Sequence, residues 1–232
     1  MKNLKQLAAQ FGYYQAEEIP EKYKTYSVDW INSEKNDIPE ALKKMPSIEI
    51  GVFYECKVQD EGTAKELFYV ERMCTTILIK SKETHLLMSL RGNDYSSKGK
   101  YYLSPDFKVI KKYYDISHYK KEQSLKGLKE PNQIGVFTEK KVSEWIAYCT
   151  EYINRMEILF IEVNEKNLEQ ENQIQDFIKS IPGCSVNAHG NKTWVTTPLF
   201  EINFEHFKDQ NFLSTKITYR GTLRDVIKIE TK

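Results

Sequence analysis

The stretch "VSEWIAYCTEYINRMEILFIEV", Val142 to Val163, decides how the second half of the chain is read. Its first part is helical in pattern. Val142, Trp145, Ile146, Cys149, Ile153 and Met156 recur at i, i+3, i+4, i+7, i+11 and i+14, the spacing of one helix face, and Thr138 stands where an N-cap belongs. The pattern then changes. "EILFIEV", Glu157 to Val163, is an almost unbroken apolar run. A run of this length and composition predicts a central strand buried on both faces. A further helix follows near Leu168 to Ser180, with Ile174, Phe177, Ile178 and Ile181 on one side and the Pro-Gly pair at 182–183 ending it. The expectation is therefore helix–strand–helix.

Working outward, the C-terminal remainder "CSV", "TWVTT", "LFEINF" and "TKITY" reads as an antiparallel run, with "NAHGNK" as a polar turn. Together with helix–strand–helix this fits an α+β arrangement, including a βαββ unit of the ferredoxin-like kind. Upstream, the N-terminal region reads as a β-rich meander with short helices. Leu4, Leu7, Ala8 and Phe11 form the apolar face of a first helix that Gly12 stops. Asp37 is placed to cap a second helix, with Pro39 in its first turn. A strand is expected near Tyr26 to Ile31. "SIEIGVFYECKV", "TTILIKS" and "THLLMSL" read as strands, with "SKET" as a turn between the last two. "YYLSPDFKVIKKYYDI" reads as two strands around a Ser-Pro-Asp turn. The polar segment from Tyr119 to Pro131 reads as a loop and marks a boundary between a β-rich domain, residues 1–125, and an α+β domain, residues 126–232.

One phrase occurs twice. "IGVFYECKV" (Ile50–Val58) and "IGVFTEKKV" (Ile134–Val142) agree at seven of nine positions. The first copy reads as a strand and the second as a junction into the helix, so the match is either a weak internal duplication or a shared β-strand phrase.

Bulk properties narrow the function classes. The 232 residues carry a formal net charge of +1 with 29% charged side chains, which argues against both an acidic nucleic-acid mimic and a strongly basic DNA coat. Cys56, Cys74, Cys149 and Cys184 are widely spaced and form no CxxC, so neither a zinc site nor a disulfide framework is expected, and they read as reduced thiols of a cytoplasmic protein. No stretch approaches the roughly 20 apolar residues of a membrane-spanning helix. The four histidines show no HxH, HxxxH or HExxH spacing.

Two sets of residues carry functional expectations. From Lys98 to Lys129 nine lysines face three acids, interleaved with tyrosines. Lysines neutralise phosphate or acidic protein surfaces, and rings stack on bases or pack at interfaces. Lys108, Lys111, Lys112, Tyr113, Tyr114, Tyr119, Lys120 and Lys121 are the candidate contact residues. The absence of arginine here argues against base-specific reading. The expected function is a non-enzymatic macromolecule-binding protein of the inhibitor, immunity or accessory-factor type, with no cofactor and with another protein or a nucleic acid as partner. The second set is Glu55 and Lys57 at the end of an apolar strand. This Glu-x-Lys element resembles that of the PD-(D/E)xK nuclease family. The resemblance implies Mg2+ bound by Glu55, a water oriented or activated by Lys57, and a further upstream acid, for which Asp29 or Asp37 is available. A plain charge pair on a solvated strand face accounts for the same letters.

Overall fold

In the computed structural model, residues 139–180 form a single α-helix, Glu139–Ser180, 42 residues long. The expected strand at Glu157 to Val163 is helical, and so is the expected gap before Leu168. The reason lies in the inward face. Val142, Trp145, Cys149, Ile153, Met156, Val163 and Ile174 are all buried, and half-buried Phe160, Asn167, Gln170 and Phe177 fill the intervals. Steps of three and four thus run unbroken through the apolar segment, as one helical stripe requires. Thr138 begins the helix as expected: its Oγ1 accepts from the Lys141 N–H at 3.3 Å. The α+β class holds, with helix–strand–helix replaced by one helix.

The structure describes residues 2–19, 38–55, 57–58, 68–69, 75–92, 99–181, 183–198, 200–208 and 212–219. The expected strand near Tyr26, the acids Asp29 and Asp37, and Cys56 and Cys74 lie outside them. The helices are α1 (Leu4–Gln10), α2 (Glu40–Lys43), α3 (Phe107–Ile110), α4 (His118–Ser124) and the long α5 (Glu139–Ser180). The strands are β1 (Tyr13–Tyr14), β2 (Ile48–Glu55), β3 (Lys57–Val58), β4 (Phe68–Tyr69), β5 (Thr75–Ser81), β6 (Leu87–Gly92), β7 (Tyr101–Pro105), β8 (Ser185–His189), β9 (Lys192–Thr196), β10 (Phe200–Phe207) and β11 (Phe212–Tyr219). Pro39 is itself the N-cap of α2 and makes no side-chain cap, in place of Asp37. The expected second strand after the Ser-Pro-Asp turn is α3. Asp106 caps it by accepting from the Lys108 N–H, a bond that favours a helical turn over a hairpin. The expected loop after Tyr119 contains most of α4, capped by Ser117.

By its internal contacts the chain divides into two compact units, residues 1–112 with 127–154, and residues 113–126 with 155–232. The first unit holds a five-stranded antiparallel sheet in the order β1-β2-β5-β6-β7. Leu4, Leu7 and Ala8 of α1 pack with Tyr13, Phe53, Leu78 and Leu87 to form a core on that sheet. At the β7 edge, Tyr101 and Ile134 exchange backbone hydrogen bonds of 2.9 and 2.6 Å, which occupies the outward N–H and C=O of Tyr101. The repeated phrase therefore has two structures. Ile50–Glu55 lies in β2, whereas Ile134 makes an isolated bridge just before α5.

The second unit holds a four-stranded antiparallel sheet, β11-β10-β9-β8. Ile174 of α5 packs on Val195, Ile202 and Phe204, with Phe177 meeting Phe204 edge-on at 5.4 Å. The β8–β9 hairpin turns at Gly190, whose φ of +60° only glycine adopts freely. No helix among the described residues is long and apolar enough to cross a membrane.

Candidate functional site

Glu55 closes β2 and sits opposite Tyr13 in the β1–β2 register. Its Oε1 lies 3.2 Å from Lys108 Nζ, and that ammonium also stands 4.3 Å over the Tyr13 ring. The Tyr13 hydroxyl donates to Asp106 Oδ2 at 2.8 Å, while Asp106 Oδ1 accepts the Lys108 N–H at 2.9 Å. These four residues form a connected set around a buried carboxylate. Burial is the main cause that holds the Asp106 carboxyl above its ordinary range, against the hydrogen bonds and Lys108. Burial and the neighbouring Asp106 likewise push the Tyr13 phenol up, so it remains a donor. The arrangement fixes α3 against β1 and β2, and its members are mutually engaged.

Of the other nuclease-like residues, only the Lys57 backbone is described. Lys57 pairs by its backbone with Tyr69 in β3–β4, and its side chain, like Asp29 and Asp37, lies outside the described residues. Among the described residues no group of three His, Cys, Asp or Glu is arranged to hold a metal ion. The cation that meets Glu55 comes from 53 positions downstream, which no local spacing signals.

The eight candidate contact residues separate by environment. Lys108 is held by Glu55 and Tyr13 as described. Lys111 and Lys112 lie exposed in a 3₁₀ turn after α3. Tyr113 is buried, packed edge-on against Phe160 at 5.8 Å, so it belongs to the interior and not to a contact face. Tyr114 and Tyr119 stand 51% and 68% exposed. Lys121 donates to the Tyr114 carbonyl at 3.3 Å and lies over its ring. Tyr119 accepts from Gln123 Nε2, one turn along α4. Lys120 lines a groove of about 410 Å3 with Gln123, Ser124, Ile158, Leu159 and Glu162. Arg155 fastens the end of α4 to α5 by donating to the carbonyls of Ser124 and Lys126 at 3.2 and 3.1 Å.

Two further groups escape sequence spacing. Burial pushes the Cys149 thiol up to about 12, which leaves it protonated and a poor nucleophile. His206, in β10, is buried and its Nε2 has no hydrogen-bond partner among the described residues. Burial first, then Lys208, hold it below its ordinary value of 6.5, with Glu171 opposing. The folded protein therefore binds this proton less readily than the unfolded chain. Its contribution to stability is complete above about pH 6.5 and is lost as pH falls below that value. His206→Phe should flatten the dependence of the urea midpoint on pH between about 5 and 7; an equal slope in both proteins would assign the effect elsewhere. Comparison with family models, curated proteins and solved structures gives no match to this chain.

Proposed function

We propose that this protein is a non-enzymatic binding protein of the inhibitor, immunity or accessory-factor type, and that its partner is another protein. The contact surface is α4 and the turn before it. The observation that carries the reading is the pair of exposed rings, Tyr114 and Tyr119, beside Lys121 on an element anchored through Arg155. Tyrosine presents a large contact area with few rotatable bonds and is enriched at protein interfaces. The charge balance supports a protein over a nucleic acid. Residues 113–126 and 155–180 carry eight acids against six Lys and Arg, so these stretches do not make the cationic surface that phosphate binding needs. Glu55 is engaged by Lys108, and among the described residues no group of three His, Cys, Asp or Glu is arranged to hold the metal that the nuclease reading needs.

Affinity capture with the whole protein tests this, comparing wild type with a Tyr119→Glu/Lys121→Glu variant, before and after nuclease treatment. The expected result is a protein that survives nuclease treatment and is captured at least about tenfold less by the variant, because truncated aromatic anchors cost roughly 2 kcal/mol or more. An identical captured set, or one that vanishes with the nucleic acid, rejects the reading.

A further inference from the structure

The segment "EILFIEV" is apolar on two sides of a helix, and only one side is covered. Val163 and Phe160 turn inward, the latter against Tyr113. Ile158, Ile161 and Leu168 turn the other way and are 59%, 55% and 59% exposed. At 3.6 residues per turn these three and Glu165 fall within a stripe about 80° wide, opposite the buried one. A helix apolar on both sides is the pattern of a helix packed on both sides. Scattered single apolar residues on a surface need no explanation, but three large aliphatics on one stripe do.

The side chains nearest this stripe are acidic, and the cations Lys166 and Lys120 stand one step farther out, in the groove beside α4. Glu162 and Glu169 flank it and Glu165 lies within it, and none of the three makes an ion pair with a described residue. Glu162 and Ile158 also line the groove beside α4, together with Lys120 and Lys166. An aliphatic ridge bordered closely by Glu162, Glu165 and Glu169 complements an amphipathic helix whose apolar stripe is bordered by lysine or arginine. A second copy of this chain is a poor occupant, since either orientation lays glutamates of both copies along one seam. The same glutamates repel a phosphate backbone or an anionic lipid surface.

We propose that the outward stripe of α5, centred on Ile158, Ile161 and Leu168, seats a basic amphipathic helix of the partner protein. This rests on the reading of the second unit as protein-binding and names the chemistry of what it takes. The test uses the full chain and a fluorescein-labelled synthetic helix with leucines on one face and lysines on the other. The comparison probes are its leucine/glutamate counterpart and a scrambled leucine/lysine peptide without helical period. Anisotropy should show the leucine/lysine helix binding best and weakening as salt rises. Affinity should fall at least about tenfold in Ile158→Asp/Ile161→Asp, while Ile217→Asp, an exposed substitution on β11, leaves it unchanged. Glu162→Lys/Glu165→Lys/Glu169→Lys should transfer the preference to the leucine/glutamate helix. Circular dichroism confirms that each variant folds, as exposed positions allow. Equal binding of the scrambled peptide, undiminished binding by the Ile158/Ile161 variant, or a wild-type dimer that Ile158→Asp dissolves would each overturn the proposal. The failures are separable. Unchanged capture by the Tyr119/Lys121 variant counts against the α4 surface, and unchanged peptide affinity in the Ile158/Ile161 variant counts against the stripe.

Discussion

Asn164→Pro is expected to destabilise the protein by about 3 kcal/mol or more, with a loss of helical circular dichroism. Asn164 is exposed, so the substitution disturbs no buried side chain. It lies well inside α5, sixteen residues before the helix ends at Ser180. A proline there removes the N–H that bonds the Phe160 carbonyl, and its ring collides with that same carbonyl. It also disfavours the helical conformation of Val163, which is buried. If a strand ended at Val163 and a separate helix began near Leu168, residue 164 would lie in a connection where proline is cheap. Asn164→Ala is the control and should change stability by less than about 0.5 kcal/mol, since alanine is the better helix former. Urea unfolding followed by far-ultraviolet circular dichroism reads both. An Asn164→Pro protein with the wild-type midpoint and helical signal would contradict a continuous helix.

That helix marks the limit of what the letters reveal. A short apolar run bounded by acids has no period of its own, and "EILFIEV" satisfies a buried strand and a two-sided helix equally. The longer stripe would have decided it, but its inward positions after Val163 include Asn167 and Gln170, which are polar. Asn167 earns its inward place by donating to the Lys208 carbonyl at 3.0 Å, a partner 41 residues away. The short helices α3 and α4 are hard to see in the sequence for a related reason. Each is four to seven residues long, too short for periodicity, although Asp106 and Ser117 stand at their caps. The strands β5 and β8 to β11 were legible because β-branched and aromatic runs are bracketed there by polar turn residues. In the candidate site, clustering along the sequence located lysines and tyrosines but not their environment. Lys108 meets Glu55 and Tyr113 meets Phe160 only through the fold. Two of the three aliphatics of the outward stripe, Ile158 and Ile161, lie in those same seven letters, and the stripe becomes visible once they and Leu168 are placed on one helix.

Trp145→Ala is expected to cost about 3–5 kcal/mol, the range for removing a buried tryptophan. Trp145 is 1% exposed, and its ring lies 6.3 Å from that of Tyr102 and edge-on to Tyr148 at 5.7 Å. Its indole Nε1 donates to the Asn132 carbonyl at 3.1 Å. Alanine would leave a cavity and, beside it, a carbonyl without its donor. Asn132 lies two residues before Ile134, whose bridge to Tyr101 pairs the first residue of the outer strand β7. The loss should therefore extend beyond the ring's own contacts. Hydrogen exchange should show faster opening at the Tyr101 and Ile134 amides. Trp145→Phe separates the two contributions. It restores much of the packing but not the donor, and should retain all but about 1–3 kcal/mol of the stability. A Trp145→Ala loss below about 1 kcal/mol, or unchanged exchange at Tyr101, would mean that the indole is not what fastens the start of α5 to the sheet edge.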